Sequence, residues 1–221
     1  MKSSLTVPIA IIAGGIIVAV AVYVSIPKSP EAGAGNPASV RPVGAGDHIL
    51  GNPTAPVMIV EYSDFDCEYC KDFHNTLYQI IANAGVNGKV AWVFRHFPLF
   101  EIHPNALAHA RAAECVAATT GNDAFWKFSN ALFANQPVDP PQYGTLASSI
   151  GISDDAFASC YSTASTTLDS RITEDRQNAL DIGAAGTPYS IILTNGKNPV
   201  IMEGGYSYDA VKQLIDQALA K

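Results

Sequence analysis

The amino-acid sequence predicts an α/β fold: a mixed sheet flanked by helices, with an all-helical insertion between a βαβ half and a ββα half. Three observations predict it. An apolar β-type run, Val57-Met58-Ile59-Val60-Glu61-Tyr62, gives way to a helical period over 67–84 carried by Phe73, Leu77, Ile80 and Ile81, and a second strand-like run at 90–97 stops at Pro98. Near the C-terminus two short strand patterns, 189–193 and 198–203, flank Asn195-Gly196, a dipeptide made for a two-residue hairpin turn. Between the halves, over about 104–183, helical stretches alternate with polar breaks.

Taken in order, the chain divides into residues 1–27, a membrane anchor; 28–46, a flexible linker; and 47–221, the folded domain. Residues 7–26 are 20 uncharged positions rich in Ile, Val and Ala. As a helix they would extend about 30 Å, the thickness of a bilayer's hydrocarbon core. A cleaved signal peptide is the rival reading. Its apolar region is usually shorter, about 7 to 15 residues, although Ala32-Gly33-Ala34 offers a small-residue cleavage pattern. Length favours the uncleaved anchor. The stretch 27–46 is rich in Pro, Gly, Ala and Ser and reads as a tether.

Within the domain, 48–53 is turn-rich and 57–62 is the first core strand. Strand, helix and strand over 57–97 form a βαβ unit, which makes the two strands parallel neighbours with a right-handed crossover. Helices follow at 105–118 and 123–134, broken by Thr119-Thr120-Gly121-Asn122, then a loop at 137–141 and shorter helices at 142–149 and 154–162. A longer, more polar helix covers 166–182. Gly186-Thr187-Pro188 leads into the third strand, and Ser207 caps a last helix that runs to about residue 219.

Chemistry concentrates at Asp64-Phe65-Asp66-Cys67-Glu68-Tyr69-Cys70, where the first strand meets the first helix. A sulfur at a helix start faces unpaired backbone N–H groups and the positive end of the dipole, and both favour thiolate. Three residues on, Cys70 shares its face and lies one turn deeper. The pair therefore reads as a redox switch with an exposed nucleophile and a buried resolving thiol. Two other readings exist. Cys67, Cys70 and His74 could form part of a zinc site, which lacks a fourth ligand at regular spacing. A purely structural disulfide more often staples distant segments. Cys115 and Cys160 fall inside helices away from any motif; they read as a disulfide joining two helices, with free buried thiols as the alternative. Such a bond closes a long loop and stabilises by roughly 4 kcal/mol in the chain-entropy model.

Composition narrows the function classes. With 221 residues, 48% hydrophobic, the chain can bury a full core. It has 13 basic against 20 acidic residues and no basic cluster, which argues against a nucleic-acid partner. Four cysteines, read as one catalytic and one separate pair, suit an oxidising compartment.

The segment Glu61-Tyr62-Ser63-Asp64-Phe65-Asp66-Cys67-Glu68-Tyr69-Cys70, the Gly186-Thr187-Pro188 sequence before a strand, and the helical insertion together resemble a thioredoxin-fold thiol:disulfide oxidoreductase of the DsbA-like type, in its membrane-tethered branch. The resemblance spans about 46–221. It implies a thioredoxin-like sheet, catalytic Cys67 and Cys70, and an extracytoplasmic enzyme that introduces disulfides into exported proteins in the periplasm or at the cell exterior. A membrane redox partner would recycle the pair, and no metal or other cofactor is implied. Glu61 stands where the family places a buried acid that exchanges a proton with Cys70. Pro188 matches the family's cis proline, and Thr187 before it the residue that holds substrate backbone; Glu68 and Tyr69 face substrate from between the cysteines. The other readings are a reductase or isomerase of the same fold, or an anchored metal-binding module without catalysis. His74, His96, His103 and His109 have no counterpart and read as surface or packing residues. The middle dipeptide Glu68-Tyr69 departs from the Pro-His of the strong oxidants; with Asp64 and Asp66 it opposes the thiolate by Coulomb repulsion, which predicts a milder oxidant.

Overall fold

A computed structural model describes residues 35–163 and 166–220. Five strands make one sheet in the order β1-β3-β2-β4-β5: β1 (His48–Gly51), β2 (Val57–Ser63), β3 (Val90–His96), β4 (Tyr189–Thr194) and β5 (Lys197–Glu203). β2 and β3 are parallel, with Val57 opposite Val90 and Ser63 opposite His96, and the helix between them, α1 (Glu68–Ala84), is the expected crossover. β2, β3 and β4 are buried at every position, which is why their sequences are near-continuous apolar runs.

Alternate residues of the sheet feed two cores. Val57 and Ile59 of β2 face α1, α7 (Tyr208–Leu219) and the helical insertion, packing with Phe73, Leu77, Trp92, Phe125 and Ile215. Met58, Val60 and Tyr62 face the opposite side, where Val93, Ile191, Ala179 and Ile182 cover them. The insertion comprises α2 (Ala106–Thr120), α3 (Asn122–Asn135), α4 (Tyr143–Ser149), α5 (Asp154–Ser162) and α6 (Thr166–Asp181). A disulfide between Cys115 and Cys160 joins α2 to α5, with Cα atoms 5.6 Å apart. The hydroxyls of Ser153 and Ser207 cap α5 and α7 by accepting from the N–H of Ala156 and Ala210.

Three expectations change. The break at 119–122 shrinks to Gly121, at φ +90°, because Thr119 and Thr120 bond back to the carbonyls of Cys115 and Val116 and stay helical. Residues 48–51, read as turn-rich, form an edge strand antiparallel to β3. Four residues are too few to show a period; Gly51, at φ +104°, ends the strand where a Cβ would lie 3.1 Å from the carbonyl of Val90. The tether reading for 28–46 meets the described residues from Gly35, and there the chain is pinned. Asn36 N–H donates to Asp181 O (3.0 Å), Arg41 N–H to Asn178 Oδ1 (2.9 Å), and Arg41 pairs with Asp175 (2.6 Å). Arg95, wholly buried on β3, pairs with Asp47 at 2.9 Å. The apolar span at 7–26 lies outside the described residues; among those described, no helix is long and apolar enough to cross a membrane.

Candidate active site

The site forms where three chain segments meet at one end of the sheet. Tyr62, near the end of β2, stands opposite Tyr189, the first residue of β4, so the turn after β2 and the loop before β4 are brought together. Cys67 is the N-cap of α1 and has an extended backbone, which leaves the first-turn N–H groups facing its sulfur. Its Sγ lies 3.6 Å from the carbonyl of Thr187, and the Thr187–Pro188 bond is cis. Cys70, one turn on, is fully buried, and its Sγ accepts from the Asp64 N–H at 3.5 Å. Both thiols are free.

Burial and hydrogen bonding push the two thiols apart. The Cys70 thiol, then the Thr187 hydroxyl and the backbone N–H groups of Cys70 and Tyr69, stabilise the Cys67 thiolate against its desolvation and bring its pKa down from 9.0 to about 6. Burial, reinforced by the neighbouring Cys67 charge, raises the pKa of Cys70 well above the usual thiol value. Glu61, fully buried on β2 beneath them, is pushed up to about 8, chiefly by burial and in part by Cys67, opposed by the Trp92 hydrogen bond and by the nearby Ser63 hydroxyl. The Trp92 Nε1–H donates to Glu61 Oε2 at 2.9 Å. Glu68 and Tyr69, between the cysteines, are exposed, Tyr69 by 65%.

Two acids beside the pair do not act as free charges. Asp64 is buried; its Oδ1 accepts from the Asp66 N–H (2.8 Å), and its Oδ2 from the Leu99 N–H (2.8 Å) and pairs with His103 Nδ1 (2.8 Å). Asp66 accepts from the Asn105 N–H at 3.2 Å. Both therefore pin the 99–105 loop against the turn that carries Cys67, and His103, read from sequence as surface or packing, is hydrogen-bonded to Asp64. Burial opposes its protonation, but Asp64 raises its pKa. The pairing spans 39 residues and leaves no local signature.

The zinc alternative built on Cys67, Cys70 and His74 is not assembled. His74 Nε2 bonds Asn130 Oδ1 at 2.7 Å inside a cage of Trp92, Tyr78 and Phe133, and burial drives its pKa down to about 4. Among the described residues the cluster with metal-ligand spacing is His48, His96 and Glu114, whose ligand atoms lie within 4.8 Å of one another. Both imidazoles share Glu114 Oε1 at 2.8 Å, and Arg171 reaches it at 3.2 Å, so this carboxylate already carries three partners. His96 and His109 are buried, as a packing role requires.

A family model described as "Thioredoxin" matches residues 44–217. The chain belongs to the thioredoxin family. Among solved structures, this member is similar to BdbD from Bacillus subtilis, oxidised form, at 26% identity, covering 82% of this chain and 97% of that one with a TM-score of 0.69. It shares its fold with alpha-DsbA1 from Wolbachia pipientis (23% identity, TM-score 0.70, 83% and 96% covered). Among curated relatives, the Na(+)/H(+) antiporter NhaA 1 of Mycolicibacterium gilvum is 32% identical over 157 residues, 68% of this chain but 24% of the antiporter. The chain thus spans about a quarter of the length of such relatives. A Bacillus cereus protein named "Probable disulfide bond formation protein D" is 25% identical over 179 residues, 78% of each chain.

Proposed function

We propose that this chain is an extracytoplasmic thiol:disulfide oxidoreductase that gives its Cys67–Cys70 disulfide to exported proteins. The observation that carries the reading is the divergence of the two thiols: Cys67 falls to about 6 while Cys70 rises. A thiolate stabilised in the dithiol form favours the reduced state, which makes the disulfide an oxidant. In this mechanism a substrate thiolate attacks Cys67, and Cys70 leaves as thiolate and collects a proton from Glu61. A second substrate thiolate then displaces Cys67, which departs easily because its conjugate acid is strong. Thr187, ahead of the cis Pro188, offers its backbone to an extended substrate segment, while exposed Tyr69 and Glu68 meet substrate from the other side.

The even cysteine count, with Cys115 and Cys160 bonded, supports an oxidising compartment. The uncharged run at 7–26 supports anchoring to a membrane, where a redox partner would reoxidise the pair. The antiport named for the NhaA relatives is not carried over, because the likeness covers a quarter of their length. Equilibrating the full chain against glutathione tests the direction: a reduction potential above the glutathione couple is expected, and one well below it would hand the site to a reductase or isomerase.

A further inference from the structure

Glu61 and Ser63 are two residues apart on β2 and so point to the same face, toward α1, and Ser190 lies directly across from Glu61 on β4. All three are buried, at 0%, 1% and 0% exposure, and Glu61 Oε1, Ser63 Oγ and Ser190 Oγ close no hydrogen bond. The other oxygen of Glu61 is held by Trp92. Ser63 sits beside two titrating groups, close enough for its dipole to lower the pKa of both Glu61 and Cys70, without closing a bond of ordinary geometry to either. A buried hydroxyl without a fixed partner destabilises a fold, so one kept between an acid and a thiol calls for a chemical reason.

Building on the oxidoreductase reading, we propose that Ser63 relays the proton between Glu61 and Cys70, and that Trp92 positions Glu61 by fixing Oε2 and leaving Oε1 to the relay. When a substrate thiolate attacks Cys67 Sγ, the Cys67–Cys70 bond breaks, a bond forms between the substrate sulfur and Cys67, and Cys70 leaves with the electron pair. Ser63 gives its hydroxyl proton to that thiolate and takes the carboxyl proton of Glu61, whose carboxylate is reprotonated from solvent. Resolution runs the path backward. It starts from ionised Glu61, whose proton has left to solvent: the Cys70 proton passes through Ser63 to the carboxylate, and the Cys70 thiolate attacks Cys67 Sγ and expels the substrate thiolate. Ser190 flanks Glu61 but is not among the groups that act on Cys70, so it serves as the control.

The test uses the full chain with Cys67 and Cys70 reduced and Cys115–Cys160 closed, mixed with an aromatic disulfide whose thiol is coloured on release. A first phase reports attack by Cys67; a second reports resolution by Cys70. Ser63→Ala is expected to leave folding and the first phase unchanged and to slow the second phase about tenfold or more. Glu61→Gln should slow it similarly, the double variant should be no slower than Glu61→Gln alone, and Ser190→Ala should change nothing. Trp92→Phe should move the pH profile of the second phase upward, since Glu61 loses a bond that favours its charged form. A wild-type second phase in Ser63→Ala, or slowing that adds to that of Glu61→Gln, overturns the relay, and an unmoved profile in Trp92→Phe overturns the positioning role. A missing first phase in the unaltered protein overturns the oxidoreductase reading itself.

Discussion

Glu61 holds its proton to about pH 8 in the fold, whereas the unfolded chain releases it near 4.5. Between those values the folded state binds more protons than the unfolded one, so this group's contribution to stability falls as pH rises through the window. Glu61→Gln removes the dependence: in denaturant titrations the variant should gain on the parent as pH climbs from about 5 to 8, and parallel curves would mean that the carboxyl is ionised in the fold. At Cys67 the supports are hydrogen bonds from Cys70, Thr187 and the first-turn backbone. Glu68→His adds a cation beside the sulfur and should lower the thiolate midpoint further, read from thiolate absorbance; an unchanged curve would show that the exposed middle dipeptide is screened by solvent. The cysteines were legible because one helix turn sets their geometry, and Glu61 because the resemblance places a buried acid at that position. His103 and Ser63 were not, since a lone His or Ser carries no period and acquires its role from what packs beside it.

Caps, turns and periods belong to single elements, and there the reading was close: Ser153 and Ser207 cap helices, Asn195-Gly196 turns a hairpin, and Asp154–Ser162 is a helix with the predicted bounds. The bonds between elements are where stability is tested. Replacing Cys115 and Cys160 together by Ala should cost about 2–5 kcal/mol in chemical denaturation while leaving the Cys67 titration in place, because the bond ties α2 to α5 and not to the site. Asp47→Ala strands the buried Arg95 guanidinium without its carboxylate and should cost roughly 3–5 kcal/mol, more than Arg41→Ala, whose side chain is 34% exposed. Equal losses would mean that burial does not set the value of these pairs. The segment around Arg41 read as tether because its composition is that of one; its partners on α6 are more than 130 residues away.

For the molecule as a whole, redox state and pH are linked through Cys67. In the reduced protein its pKa is about 6 folded and 9.0 unfolded, so the unfolded chain binds more protons between those values and the fold gains stability as pH rises across them. The disulfide form lacks this group. Calorimetry of the two forms should therefore show the reduced protein gaining on the oxidised one from pH 6 to 9; a constant difference would mean that the thiolate is not stabilised by the fold. By itself the sequence determined the α/β class, the parallel crossover, the cysteine pair at a strand–helix junction and the helical insertion. These follow from residues a few positions apart, whose periods and caps are local. Only the tertiary structure decided that residues 48–51 pair as an edge strand, that the stretch after Gly35 is clamped to α6, that Asp64 is answered by His103, and that Ser63 stands unbonded between Glu61 and Cys70. Each depends on burial or on contacts the chain makes only once folded, and neither leaves a pattern along the sequence.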